Sequence, residues 1–85
     1  MKLENKVIIY TQETCSPCQA EKEWLKNNGI SFEERDIRKN QKYLQEAIDL
    51  GASATPVTVI MKDNEKEVVL GFDQEKLTKL LNLTN

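Results

Sequence analysis

Val7-Ile8-Ile9-Tyr10-Thr11-Gln12-Glu13-Thr14-Cys15-Ser16-Pro17-Cys18 runs from four apolar side chains, across a polar step, into a pair of cysteines. Unbroken rather than alternating apolarity over 7–10 predicts a strand covered on both faces. The pattern then turns helical over 17–28, with Ala20, Trp24 and Leu25 on one face among Glu21, Lys22, Glu23 and Lys26. Gly29 stands where a left-handed C-terminal cap belongs. The cysteines are thus expected to open a helix at the end of a buried strand.

Outward from that unit, residues 30–37 alternate (Ile30, Phe32, then Glu34, Asp36 with Ile37) and predict a strand with one wetter face. Asn40 can cap a second helix whose apolar stripe is Leu44, Ala47 and Ile48, with Gly51 ending it. Thr55-Pro56 leads into Val57-Thr58-Val59-Ile60-Met61, a strongly β-prone run. Asp63-Asn64-Glu65-Lys66 supplies turn chemistry, and Val68-Val69-Leu70 returns as the other arm of a hairpin. Gly71-Phe72 breaks the strand, Asp73 is a good N-cap, and Leu77, Leu80 and Leu81 mark a last amphipathic helix. The order β-α-β-α-β-β-α begins with a parallel pair joined by a right-handed crossover, and the hairpin adds two antiparallel strands. The expected fold class is α/β, a four-stranded mixed sheet flanked by helices. With no repeat or linker, residues 1–85 are expected to form a single domain.

Composition narrows the chemistry. The chain is 39% hydrophobic and 31% charged, a globular balance rather than a disordered one. Its longest uncharged apolar stretch, 54–61, is far short of the roughly 20 residues a membrane helix needs. The opening Met1-Lys2-Leu3-Glu4-Asn5-Lys6 is charged and does not resemble a secretory signal, so the expected location is the cytoplasm. No histidine is present, which removes Ser-His-Asp and Cys-His catalysis and every histidine-ligated metal site. Twelve basic against fourteen acidic residues, scattered among one another, argue against a nucleic-acid surface.

What remains is Cys15-Ser16-Pro17-Cys18. Two cysteines one helical turn apart can close a small disulfide ring. The first would sit beside the free N–H groups of the helix start, where the dipole favours a thiolate and lowers a thiol pKa from about 8.5. Cys15 is therefore expected to attack a substrate disulfide, and Cys18, one turn inward, to resolve the mixed disulfide. Pro17 suits the first turn, where its missing N–H costs nothing. Three other readings compete: a structural disulfide, half of a zinc site, and two cysteines at chance spacing. So short a ring gains only about 2 kcal/mol of loop entropy, a weak staple. Zinc needs four ligands, and with two cysteines and no histidine only a metal-bridged dimer could supply them.

These residues carry a family likeness. Tyr10-Thr11-Gln12-Glu13-Thr14-Cys15-Ser16-Pro17-Cys18, then Thr55-Pro56-Val57, then Gly71-Phe72-Asp73 make the chain resemble the glutaredoxin and NrdH-redoxin branch of the thioredoxin-fold superfamily, over roughly residues 6–83. The resemblance implies a thioredoxin-like fold, a cis bond before Pro56, and a Thr55 backbone that pairs with a bound thiol peptide. It also implies a site around Cys15 and Cys18 in which Gln12, Ser16, Pro17, Thr55, Pro56, Phe72 and Asp73 meet the substrate. Thioredoxin itself would place Trp before the first cysteine and a buried acid in the preceding strand; Thr14 and Ile9 stand there. Dithiol glutaredoxins carry Pro-Tyr between the cysteines and a lysine three residues before the first. Here Ser16-Pro17 and Gln12 replace them, which removes a thiolate-stabilising charge and a glutathione contact. Asp73 matches an acidic position that helps hold glutathione, and is equally a plain helix cap. Phe72 stands either to border the groove or to pack over the last helix.

The activity implied is thiol–disulfide exchange on protein or low-molecular-weight disulfides, with no bound cofactor beyond the redox pair itself. Electrons would come from a thioredoxin-reductase-type flavoprotein or from a low-molecular-weight thiol such as glutathione. Ribonucleotide reductase is one implied class of target, and nothing requires more than a monomer. The alternatives are a thioredoxin-fold module that binds extended peptides, its cysteines incidental, and the metal-bridged dimer.

Overall fold

Strand β1 (Lys6–Thr11) is followed by helix α1 (Ser16–Asn27), β2 (Glu33–Asp36), α2 (Gln41–Asp49), the hairpin of β3 (Val57–Lys62) and β4 (Glu65–Leu70), and α3 (Gln74–Leu80). The computed structural model describes residues 6–62 and 65–81; the opening segment, Asp63-Asn64 of the expected turn and Leu83 lie outside the described residues. The strand order is β2-β1-β3-β4. Strands β1 and β2 are parallel, while β1 with β3 and β3 with β4 are antiparallel. This is the mixed sheet that the βαβ start and the hairpin predict.

Helices cover both faces, which is why β1 is buried from Val7 to Thr11. On one side Ile8, Tyr10, Val57 and Val59 pack with Ala47 of α2. On the other, Val7, Ile60 and Val69 pack with Leu77 of α3 and Trp24 of α1. The period-two alternation of β1 and β3 thus sorts their side chains between two apolar layers. An ion cluster closes the α2 side: Arg35 donates to Glu46 (2.9 Å) and to the Tyr10 hydroxyl (3.1 Å), which itself donates to Glu46 (2.8 Å). Tyr10 is a packing and anchoring residue on the face opposite α1.

Four local expectations differ from the structure. Strand β2 is shorter than 30–37: its register with β1 runs over Glu33–Asp36, and Ile37 adds one N–H bond to the Thr11 carbonyl at 2.9 Å. Ile30 and Phe32 instead join the apolar layer beneath α1 and α3. Strand β4 starts earlier than Val68: Glu65, Lys66 and Glu67 pair with Lys62, Met61 and Ile60, charged positions that suit a sheet edge. In α2 the inward residues are Tyr43, Ala47 and Leu50, leaving Leu44 and Ile48 largely in solvent at 38% and 51% exposure. In α1, Ala20 is exposed, and its place on the inner face is taken by Glu21.

The caps follow the sequence closely. Asn40 Oδ1 accepts from Lys42 N–H at 2.9 Å, and Asp73 Oδ1 accepts from Lys76 N–H at 3.1 Å. Helix α3 has only seven residues, so its start depends on this cap. Asp73→Ala is expected to lower stability by about 1 kcal/mol in urea denaturation, with the fold retained.

Candidate active site

Cys15 is the N-cap of α1: its backbone is extended (φ −107°, ψ 106°) and its Sγ accepts from Cys18 N–H at 3.1 Å. An N-cap side chain normally meets the N–H of the second or third helical residue. Pro17, in the second position, has no N–H to offer, so the sulfur meets the Cys18 amide. The two cysteines form a disulfide, with Cα atoms 5.2 Å apart. Cys15 is 9% exposed and Cys18 is fully covered, so an incoming disulfide reaches Cys15 first. Ser16 and Pro17 lie exposed beside it. The middle of α1 is tied to the sheet through Glu34, which accepts from Thr11 Oγ1 (2.7 Å) and Lys22 Nζ (2.8 Å). The Lys22 ammonium holds the Glu34 carboxyl below its usual range.

A second segment meets the first. The Thr55–Pro56 bond is cis, as the resemblance implies, and Gln12 Nε2 donates to Thr55 Oγ1 at 3.1 Å. Gln12 therefore bridges the segment before Cys15 to the one before β3. On its α2 side opens a mainly apolar cleft of about 310 Å³, lined by Gln12, Leu44, Ala47, Ile48, Ala54 and Thr55 among others. The exposed Leu44 and Ile48 are walls of that cleft. Pro56 is buried, and its carbonyl accepts from Gly71 N–H at 2.8 Å, which pins the turn before α3 to this loop. That turn needs a glycine, since Gly71 has φ +81°.

The remaining expected contact residues have other neighbours. Phe72 packs edge-on against Trp24 of α1 with ring centroids 6.1 Å apart. Asp73 is engaged in capping α3. So the structure joins Cys15 to Cys18 and Gln12 to Thr55, whereas the contacts of Phe72 and Asp73 lead to α1 and α3.

One polar residue at this centre escaped the sequence reading. Glu21 is fully buried one turn beyond Cys18, accepts the Thr58 hydroxyl on one carboxyl oxygen, and has no partner on the other among the described residues. Burial pushes its carboxyl up to about 7. The available signal was spacing: Cys18, Glu21 and Leu25 follow the three-and-four step of one helix face. Among the described residues there is no group of three or more metal-ligating side chains.

A family model described as Glutaredoxin matches residues 7–65. The chain is 32% identical over 74 residues to the glutaredoxin-like protein NrdH of Lactococcus lactis, covering 87% of this chain and 97% of that one. The crystal structure of the thioredoxin-like protein BC3987 superposes with a TM-score of 0.79 at 39% identity, covering 88% of this chain and 99% of that one. The glutaredoxin-like NrdH-redoxin from Escherichia coli shares the fold, with a TM-score of 0.74 at 23% identity over 88% of this chain and 93% of that one. A disulfide at the mouth of a helix, in a chain alike to these over most of its length, is the working part of a known machine: this protein belongs to the glutaredoxin family, as an NrdH-like thiol–disulfide oxidoreductase of the thioredoxin superfamily.

Proposed function

We propose that the chain reduces disulfides by the dithiol route, with Cys15 as nucleophile and Cys18 as resolving thiol. The observation that carries this is the asymmetry of the pair: Cys15 keeps 9% exposure and its Sγ takes a helix-start N–H, whereas Cys18 is fully covered. That N–H and the helix dipole stabilise a thiolate on Cys15 once the pair is reduced. Attack on a substrate disulfide R–S–S–R′ joins Cys15 to one sulfur and releases the other as R′S⁻. Cys18 then attacks Cys15 Sγ, closing the Cys15–Cys18 bond and releasing RS⁻. Two electrons pass from the cysteine pair to the substrate.

Protein disulfides are the favoured substrates. An extended segment would lie along the Thr55 backbone beside Pro56, its side chains against Ser16, Pro17 and the apolar cleft behind Gln12. The electron donor would be a thioredoxin-reductase-type flavoprotein, because Gln12 brings no positive charge to the position where a lysine would hold a glutathione carboxylate. Phe72 and Asp73 would act through the packing of α3. The likeness to NrdH makes ribonucleotide reductase one class of target to assay, and the cytoplasm, where thiols stay reduced, the place of action.

The test runs insulin reduction with two NADPH-coupled donors, thioredoxin reductase in one and glutathione with glutathione reductase in the other. Turnover in the first, at least about tenfold above the second, is expected; each factor of ten is about 1.4 kcal/mol of preference. Turnover chiefly with glutathione would contradict the donor assignment.

A further inference from the structure

The dithiol route leaves a proton without a destination. Cys18 must lose its thiol proton before it can attack Cys15, yet its side chain has no exposure to water. Positions three apart on a helix share a face, with Cβ atoms about 5–6 Å apart, and the residue three beyond Cys18 is Glu21. It is equally sealed, and one of its carboxyl oxygens has no hydrogen-bond partner among the described residues. A buried carboxyl oxygen left unpaired is costly and uncommon. If Glu21 served only to tether α1 to Thr58, a single oxygen would suffice and the second would be a pure penalty. Resting on the dithiol route above, we propose that Glu21 accepts the Cys18 proton as Cys18 resolves the mixed disulfide, and returns it when the pair is reduced again.

The surroundings keep this exchange private. On α1, Cys18 and Leu25 flank Glu21 on the buried face, while Lys22 is turned to Glu34 and Glu23 and Lys26 to solvent. From β3 comes the Thr58 hydroxyl, flanked in register by Ile9 of β1 and Val69 of β4, both fully buried. From α3 the inward residue is Leu77; Glu75, Lys76 and Lys79 are exposed. Burial and the Thr58 hydroxyl therefore govern its ionisation. An ordinary carboxylate is a poor base for a thiol near 8.5, uphill by about four powers of ten. With the Glu21 carboxyl raised to about 7, that mismatch narrows.

The step balances. Cys18–SH and Glu21 carboxylate become Cys18 thiolate and Glu21 carboxylic acid. The thiolate displaces RS⁻ from Cys15, and the two substrate thiolates released take protons from water. The cysteine pair is oxidised by two electrons, and the Cys18 proton passes to Glu21.

Reduced protein mixed with one equivalent of an aromatic disulfide that releases a coloured thiolate separates the two attacks. The first thiolate reports Cys15, the second Cys18. Glu21→Gln keeps an acceptor for Thr58 and cannot take a proton. It is expected to leave the first phase within about twofold and to slow the second on the order of 100-fold at neutral pH. The wild-type second phase should rise as pH passes through about 7, and the variant should lack that inflection. A second phase in Glu21→Gln as fast as wild type, or faster, overturns the proposal; a carboxylate that merely repels the Cys18 thiolate gives the faster result. Carbon-13 NMR of the Glu21 carboxyl in the wild-type sequence gives a readout independent of the variant's folding. A thiol hydrogen bond to the carboxylate predicts a lower titration midpoint in protein alkylated at Cys15 with iodoacetamide, which leaves the Cys18 thiol and adds no charge, than in the disulfide form, and equal midpoints contradict it. If wild type shows a first phase and no second, the dithiol route itself fails, a result distinct from a normal wild type beside an unaffected variant.

Discussion

Cys15→Ser is expected to abolish disulfide reduction, lowering turnover by about three orders of magnitude or more. The loss would be chemical rather than structural. Serine is among the best N-cap residues, so its hydroxyl can take the Cys18 N–H that the sulfur now holds and α1 keeps its start. Cys18→Ser makes the complementary case. Cys15 remains able to attack, nothing can resolve it, and a mixed disulfide should accumulate to one equivalent of substrate thiol per chain. Intact mass spectrometry with peptide mapping reads both outcomes. An adduct on Cys15 in Cys18→Ser, with none on Cys18 in Cys15→Ser, follows from the full burial of Cys18. The reverse pattern would exchange the roles of the two sulfurs.

The second large effect concerns stability and pH. Glu21 holds its proton to about 7 in the folded chain, against about 4.5 for an unperturbed glutamate. The folded state thus binds that proton more tightly than the unfolded state. Its contribution is fully present below the unfolded value and is lost as pH rises through about 7. A shift of this size corresponds to about 3 kcal/mol between pH 4 and pH 8. Glu21→Gln cannot ionise, so its stability relative to wild type should improve by about that amount over the same interval, whatever the offset at pH 4. Urea denaturation of both proteins at the two pH values measures the difference of differences. Glu34 runs the opposite way, its carboxyl held low by Lys22, but it is common to both proteins and cancels. Together with the slowed second phase, the variant would lose less stability than wild type as pH rises through about 7 and be less able to resolve mixed disulfides.

Most of the architecture is written locally. Unbroken apolarity in Val7-Ile8-Ile9-Tyr10 reports burial by helices on both faces, and Asn40, Asp73, Gly29 and Gly51 punctuate the helices through backbone chemistry that acts within a few residues. The Cys15–Cys18 spacing and its place after β1 made the redox pair legible for the same reason. What could not be read depends on partners far along the chain. The reach of β2 is set by where β1 offers it partners, and Leu44 and Ile48 are exposed because Tyr43 and Leu50 turn α2 toward the sheet. Glu21 is the sharpest instance. Its charge places it on the wet face by residue type, and the hydroxyl that meets it inside belongs to Thr58, 37 positions away. The Gln12–Thr55 bridge, across 43 positions, is another pairing that the fold alone brings about.

The most direct measurement is insulin reduction by dithiothreitol with and without the reduced protein, because it depends on neither natural donor nor natural target. A dithiol reductase should accelerate the appearance of insoluble insulin B chain by at least about tenfold at catalytic concentration, a lowering of the barrier by about 1.4 kcal/mol or more. The acceleration should vanish in Cys15→Ser. A wild-type protein with both thiols confirmed reduced, yet no faster than dithiothreitol alone, would contradict the account.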